Sequence, residues 1–254
     1  MRARLLPLFA VVLVCLAGGA DAGGIRDLDD AWLVSGSRTS ALLERGSGRG
    51  QWLEARLGRL YGMPALRQVG LGWWWDGPRW ELALLAEQLG RDLYRERTLR
   101  ARLAVGRSWR LGAEGGQATL TLGSGPGRTH RTVFAWLRGP VGGAVRLGVR
   151  WPIARAAAWF AGRGYERWLW LEGDTEAASW SLVVDRRDDG RPGLQFELMF
   201  ALGPGAAGGV RVDAGTGSLG FVVALRAGGA LLRSGHLAHP ELGVSHRWSL
   251  GYRP

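Results

Sequence analysis

The chain has 254 residues, and 33 basic residues against 22 acidic ones give it a formal charge of +11. A basic balance is typical of nucleic-acid-binding proteins, but the basic residues are all Arg and are spread along the chain, so we predict no nucleic-acid partner. The single cysteine, Cys15, excludes a framework of internal disulfide bonds.

The first 22 residues have the pattern of a secretory signal peptide. Arg2 and Arg4 precede an apolar run over 5–16, and the small residues Ala20 and Ala22 fit a cleavage site. A lipoprotein signal is disfavoured because Val14, and not a small residue, precedes Cys15. Cleavage after Ala22 leaves a mature chain without cysteine.

Residues 23–50 form a polar, Gly-rich lead-in with weakly apolar patches at 32–34 and 41–43. We predict an N-terminal arm or plug here. The sequence leaves three alternatives open, namely a short plug, a periplasmic arm and a disordered segment.

From about residue 51 to the end, apolar and polar residues alternate with a period of two. In the clearest copy, over 193–202, Leu194, Phe196 and Leu198 fall on one face and Gln195 and Glu197 on the other. Because side chains alternate across a strand, this pattern indicates a strand with one apolar face.

The pattern predicts about fourteen strands, within a range of 12–14, over residues 51–254. They lie at 51–60, 68–75, 79–89, 98–108, 112–122, 131–138, 142–151, 165–173, 178–186, 193–202, 208–213, 217–226, 229–238 and 243–252. Strands of about ten residues behind a secretory signal are typical of an all-β, antiparallel transmembrane β-barrel. A closed barrel satisfies its backbone hydrogen bonds within the bilayer.

The polar faces of these strands are expected to line the lumen. A charged side chain that faces hydrocarbon costs about 2–4 kcal/mol at the bilayer midplane. The predicted lumen lining consists of Arg100, Arg102, Arg146, Arg150, Gln195, Glu197, Arg226, Ser234 and His236. Its arginines would make the lumen favour anions.

The chain contains 14 Trp residues, many of them at the ends of predicted strands. Such residues form aromatic girdles at the two membrane–water interfaces. The predicted girdle consists of Trp52, Trp73, Trp74, Trp75, Trp80, Trp109, Trp151 and Trp248.

The connections alternate in length, which predicts both the topology and the location. Longer segments at 90–97, 152–164 and 187–192 alternate with tight ones such as 76–78 and 139–141. Bacterial barrels have short periplasmic turns and longer outer loops. We therefore predict periplasmic termini and the outer membrane of a two-membrane bacterium. Trp248, Leu250 and Tyr252 alternate like the C-terminal strand that the barrel-assembly machinery reads, although Arg253 and Pro254 follow.

Three stretches, at 60–66, 88–96 and 239–250, resemble the PorV/PorQ-like outer-membrane barrels, which are related to the FadL-like long-chain fatty-acid transporters. The resemblance covers about residues 50–254. It implies a fourteen-stranded barrel with an N-terminal hatch. It also implies a role in hydrophobic solute uptake or in secretion-system shuttling.

Enzymatic and metal-dependent chemistry have little support in the sequence. Ser234 and His236 share a face near Glu241, but same-face neighbours on a strand are about 6.5–7 Å apart, too far for a direct hydrogen bond. His236 and His239 fall on opposite faces, and no acidic cluster completes a metal site. The Gly-rich segment 123–127 lacks the Lys of a phosphate loop and reads as a hairpin. We predict no enzyme, metal or cofactor.

Three functions remain as alternatives. The first is a pore or transporter for small solutes, either hydrophobic or anionic, with the lipid bilayer as its surroundings. The second is a non-transporting barrel that acts as a scaffold or as a secretion or envelope-assembly partner through loops 90–97 and 152–164. The third is a soluble periplasmic β-sandwich.

Overall fold

The computed structural model describes residues 50–156, 168–175, 177–186, 192–214 and 217–253. The predicted signal peptide at 1–22 and nearly all of the predicted arm at 23–50 lie outside these residues. Nothing in the structure therefore bears on their roles.

Each of the fourteen segments in which apolar and polar residues alternate contains a strand. The fourteen strands are β1 (Gly50–Arg59), β2 (Arg67–Asp76), β3 (Trp80–Arg91), β4 (Tyr94–Gly106), β5 (Arg110–Leu122), β6 (Arg128–Gly142), β7 (Val145–Ala156), β8 (Trp168–Asp174), β9 (Ala178–Arg186), β10 (Pro192–Gly203), β11 (Ala206–Asp213), β12 (Ser218–Ala227), β13 (Ala230–His239) and β14 (Gly243–Tyr252).

The strands form one closed barrel in which each strand pairs with its neighbours in sequence. Pairing of β1 with β14 closes the ring, with Leu57 opposite Trp248 and Leu53 opposite Tyr252. All neighbouring pairs are antiparallel, as between β12 and β13. The predicted fold, an all-β antiparallel barrel of fourteen strands, is confirmed.

The exposed fractions of the side chains show which face of the barrel is which. On β12, Leu219, Phe221 and Leu225 are 61%, 54% and 51% exposed on the outer surface, whereas Val222 and Ala224 are buried inside. Inward positions on other strands are charged and buried, including Glu114 and Arg233 at 3% and 2% exposure. A soluble protein buries apolar residues and exposes charged ones. The arrangement here is the reverse and suits a bilayer.

The apolar outer surface ends before β4, β5 and β6 do. Towards one end of the barrel the outward positions become polar, and Arg97 and Arg131 donate exposed hydrogen bonds to Gln88 and Gln117. The longest strands therefore extend beyond the apolar belt into a polar rim.

The two ends of the barrel differ in their connections. One end, here called the short-turn end, has connections of two or three residues, at 77–79, 107–109, 143–144, 175–177, 204–205 and 228–229. The other, here called the long-connection end, includes the longer segments 60–66, 123–127 and 214–217, together with the short connections 92–93 and 240–242. Two single-turn 3-10 helices, Leu60–Gly62 and Pro64–Leu66, form the first of these segments.

The predicted long loop at 90–97 is wrong. β3 continues to Arg91 and β4 begins at Tyr94, so only Asp92 and Leu93 connect them. Gly90, at φ 72°, adopts a backbone conformation that favours glycine and lets the ladder turn tightly. Of the predicted loop 152–164, residues 152–156 belong to β7. Residues 157–164 and most of the loop at 187–192 lie outside the described part of the chain.

Tryptophan lies on both faces of the barrel, so the predicted girdle is only partly correct. Trp80 and Trp109 are exposed close to the short-turn end. Trp52 instead points inward and packs on a buried apolar cluster. Trp74 also points inward, with the Arg56 guanidinium 5.4 Å from its ring centroid.

No helix among the described residues is long and apolar enough to cross a bilayer.

Candidate functional site in the barrel lumen

A carboxylate at the middle of β5 organises one wall of the lumen. Glu114 accepts hydrogen bonds from Arg102 Nη2 at 2.7 Å and from Arg150 Nη2 at 2.8 Å. Its two partners lie on β4 and β7, so this contact joins strands that are not all adjacent. The alternation of β5 directs Glu114 inward while Leu111 and Ala113 face outward.

A second carboxylate, Glu81 on β3, continues this wall towards the short-turn end. Arg110 Nη1 lies 2.9 Å from Glu81 Oε2, and Arg102 and Arg138 approach the same carboxylate at 3.8 Å and 3.9 Å. Arg110 also contacts Asp76 at 2.6 Å. Arginines and carboxylates therefore alternate through space from β2 to β7.

Aromatic rings support these guanidinium groups. The Arg102 guanidinium carbon lies 5.1 Å from the ring centroid of Trp136, and that of Arg150 lies 3.7 Å from the ring centroid of Phe134. Cation–π contacts of this kind hold an arginine against an apolar wall without removing its charge. The rings therefore fix the guanidinium groups along the lumen.

Across the barrel, β10 to β13 carry a second polar wall. Glu197 Oε1 accepts a hydrogen bond from Arg233 Nη2 at 3.0 Å. Gln195 accepts one from Arg211 at 2.7 Å and donates one to Asp213 at 3.3 Å. These side chains are also buried.

A third charged group lies on the β1 side of the lumen. Arg56 contacts Glu54 at 3.1 Å and Glu87 at 3.3 Å. The short-turn half of the lumen also contains an apolar cluster of Met199, Ala207, Val222, Ala224 and Leu231, against which Trp52 packs. The lumen thus contains paired charges together with apolar patches, and Trp170 with Val183 forms another such patch on β8 and β9.

The structure brings most of the predicted lumen residues together. Arg100, Arg102, Arg150, Gln195 and Glu197 all point inward and are buried or half-buried. Arg146 and Arg226 lie on inward positions close to the short-turn end. The Arg146 side chain is 54% exposed and lies 4.0 Å from Glu172, and Arg226 donates to the Gly228 carbonyl oxygen at 3.1 Å.

Ser234 and His236 do not lie where they were predicted. On β13 the buried inward positions are Leu231, Arg233 and Gly235, so the serine and the histidine face outward. His236 stacks on Phe221, an outward residue that is 54% exposed. Both residues therefore belong to the membrane-facing surface and not to the lumen.

The expected separation of Ser234 and His236 is also wrong. Their backbones are two residues apart on one strand, but Ser234 Oγ and His236 Nε2 lie 2.9 Å apart. The strand repeat fixes the spacing of Cα atoms, whereas the long histidine side chain leans along the strand and closes the gap. His239, by contrast, accepts hydrogen bonds from the backbone N–H groups of Glu241 and Leu242 and stabilises the turn into β14.

Several residues that line the lumen are absent from the predicted lumen lining, although the alternation along some of their strands indicates the inward face. Glu114 is opposite in phase to Leu111 and Ala113 of its strand, whereas Glu81 and Arg233 share the inward face with Leu85 and Leu231. Glu54 and Arg56 likewise alternate with Leu53 and Ala55. Alternation alone therefore identifies Glu114, Glu54 and Arg56 as inward residues, but it leaves the faces of Glu81 and Arg233 undecided.

The barrel resembles outer-membrane proteins of known structure. It superposes on the crystal structure of the Acinetobacter baumannii outer membrane protein Omp33 with a TM-score of 0.57 and 6% identity, over 81% of this chain and 98% of that chain. It also matches the KdgM porin with a TM-score of 0.44 and 8% identity, over 80% of this chain and 99% of that chain. The first likeness shows the fold of an outer-membrane barrel.

No family model matches the chain. No curated protein matches it either. The described residues include no group of three or more His, Cys, Asp or Glu side chains that could hold a metal ion.

Proposed function

We propose that this protein is an outer-membrane pore for small polar or anionic solutes. The observation that carries the proposal is the reversed distribution of side chains. Apolar residues cover the outer surface of a closed fourteen-stranded barrel, and ion pairs line its interior. Porin-type barrels combine an apolar outer band with a polar lumen in this way.

The lumen favours polar solutes because its charges are fixed in position. Glu114 holds the guanidinium groups of Arg102 and Arg150 at fixed places on the lumen wall, where their positive charges act on a passing anion. Pairing moderates the anion preference that unpaired arginines would produce. We therefore propose weak anion selectivity.

The test is a planar-bilayer recording of the folded chain, with heat modifiability on a gel as the control for folding. We expect a heat-shifted band, stepwise currents and a reversal potential on the anion side in a salt gradient. A folded, inserted barrel that carries neither current nor solute flux would contradict the pore.

The apolar cluster around Met199 favours a second candidate, which is uptake of hydrophobic solutes as the FadL-like resemblance implies. Five buried apolar side chains and Trp52 form a surface in the lumen that an acyl chain could contact. Saturable quenching of tryptophan fluorescence by a brominated fatty acid, lost both on Trp52→Phe and on Met199→Glu, would support this candidate. Quenching that stays linear with concentration would oppose it.

The same architecture supports proposals for export and assembly. We propose that residues 1–22 are removed on export, that 23–50 form an arm or plug, and that both termini face the periplasm. The alternating outward residues Trp248, Leu250 and Tyr252 of β14 would be recognised by the barrel-assembly machinery. A scaffold role has weaker support, because most of loop 90–97 is strand.

A further inference from the structure

A polar cluster lies on the outer surface of β13 and β14, where the neighbouring side chains face lipid. Ser234, His236 and His246 all occupy outward positions. These strands and β12 are described in full, and their other outward positions are apolar or aromatic. Those positions are Leu219, Phe221, Val223, Leu225, Ala227, Ala230, Leu232, Ala238, Val244, Trp248, Leu250 and Tyr252.

The three side chains form a continuous hydrogen-bonded chain. Ser234 Oγ lies 2.9 Å from His236 Nε2, and His236 Nδ1 lies 2.7 Å from His246 Nδ1. One set of protons satisfies all of these contacts: the serine hydroxyl donates to Nε2, Nδ1–H of His236 donates to His246, and His246 carries its own proton on Nε2. In this arrangement Nε2 of His236 is unprotonated, so it can act as a base towards the hydroxyl group of Ser234.

Polar side chains on a lipid-facing surface are costly and mark functional positions. A nucleophile requires a base within hydrogen-bond reach and a third group that orients the base. Ser234, His236 and His246 meet these geometric requirements. We propose that they form an acyl-transfer site that opens sideways to the bilayer and hydrolyses ester bonds of membrane glycerolipids.

The surroundings fit a lipid ester as the substrate. Phe221 stacks on His236 with ring centroids 4.5 Å apart, and Trp248 stacks on His246 at 5.8 Å, so apolar rings flank the cluster. His236 lies three residues before the end of β13, and His246 three residues after the start of β14, close to the long-connection end. We place this level of the barrel at the depth of the lipid ester groups, between the acyl chains and the headgroups.

A cation lies next to the cluster on the same outer surface. Arg59 of β1 is the register partner of His246 across the seam that closes the barrel. We assign it a positioning role, because an exposed guanidinium at this place can pair with a lipid phosphate. This would hold the ester over Ser234.

The reaction has two balanced steps. Ser234 Oγ attacks the ester carbonyl carbon while its proton passes to His236 Nε2; the bond to the glycerol oxygen breaks, and that oxygen leaves with the proton. Water then attacks the acyl-serine, His236 takes the water proton, and the serine oxygen regains a proton as its bond to the acyl carbon breaks. The products are a lysolipid and a fatty acid.

The inference rests on membrane insertion, as the proposed function does, but it does not require an open lumen. The test uses full-length protein extracted in its folded state, with heat modifiability and vesicle insertion measured first. Release of fatty acid from phosphatidylethanolamine vesicles and labelling by a fluorophosphonate, mapped by mass spectrometry, are then compared among variants.

We expect labelling at Ser234 and a loss of hydrolysis of about 1,000-fold or more in Ser234→Ala and in His236→Phe. The matched control Ser108→Ala, an exposed serine in a short turn, should retain full activity. His246 acts through His236, so His246→Asn, which keeps an acceptor, should retain much more activity than His246→Leu.

The contradicting results differ for the two proposals. An inserted, heat-modifiable barrel that conducts ions but neither labels nor hydrolyses lipid would overturn the acyl-transfer site alone. Equal losses in His246→Asn and His246→Leu, with folding intact, would overturn the orienting role of His246. A chain that is absent from the membrane fraction would overturn both the site and the pore.

Discussion

At the scale of single residues, close contacts between glycine and tryptophan explain part of the unusual composition. Gly112 is the register partner of Trp136, Gly148 of Trp170 and Gly173 of Trp180. In each pair the indole ring covers the glycine, and a Cβ built at Gly148 would lie 1.9 Å from the Trp170 ring. An absent side chain on one strand thus makes room for a large one on the next.

Gly148→Ala should therefore destabilise the barrel, because the added methyl group forces Trp170 out of its position in the lumen. Overpacking of this kind costs about 1–3 kcal/mol. The measurement is the free energy of unfolding in urea, in lipid vesicles. Gly115→Ala is the matched control, since a Cβ there meets nothing within 4 Å. Equal stabilities of the two variants would contradict this account.

At the scale of the strand, the apolar belt and the polar rim divide a single element into two environments. On β5, Leu111 and Ala113 face outward in the belt, whereas Gln117 and Thr121 face outward beyond it. Both parts have the same backbone conformation and alternation. Only the surrounding medium decides which side chains each part tolerates.

Ala113→Arg should cost about 2–4 kcal/mol, and Thr121→Arg about 0–1 kcal/mol, because only the first places a charge in hydrocarbon. The two substitutions lie on the same face of the same strand and add the same charge. Reversible unfolding from vesicles of known thickness measures both values. If Thr121→Arg proved as costly as Ala113→Arg, the assigned end of the belt would be wrong.

At the scale of the whole molecule, the ion pairs of separate strands act together on whatever enters the lumen. Glu114 holds Arg102 and Arg150 from β4 and β7, and Glu197 holds Arg233 across β10 to β13. Removing one partner of a buried ion pair leaves an uncompensated charge. The electrostatic field inside the lumen therefore depends on each of these carboxylates.

Glu114→Gln should make the pore more anion-selective, because it removes the negative charge that Glu114 places between Arg102 and Arg150. We expect the reversal potential in a salt gradient to move further to the anion side, together with a moderate loss of stability. Glu241→Gln is the matched control, because it removes the same charge from an exposed turn outside the lumen. A shift of equal size in both variants would show that net charge, and not the lumen pair, sets selectivity.

The sequence alone determined the class of the fold and the phase of most strands, and it limited the number of strands to 12–14. Alternation of period two is a local property, and strands such as β12 place Leu219, Phe221, Val223 and Leu225 on one face without ambiguity. One large apolar face is enough to identify the side of a strand that faces lipid, because a charge is far more costly in lipid than in the lumen.

The tertiary structure decided the rest. On β13 both faces mix apolar and polar residues, with Leu231 and Arg233 on one and Leu232, Ser234 and His236 on the other, so composition could not choose between them. Pairing with β12 and β14 fixed the choice and brought His236 opposite His246. Contacts such as those of Glu114 with Arg102 and Arg150 likewise depend on the register between neighbouring strands. These are non-local properties, which a period along one strand does not encode.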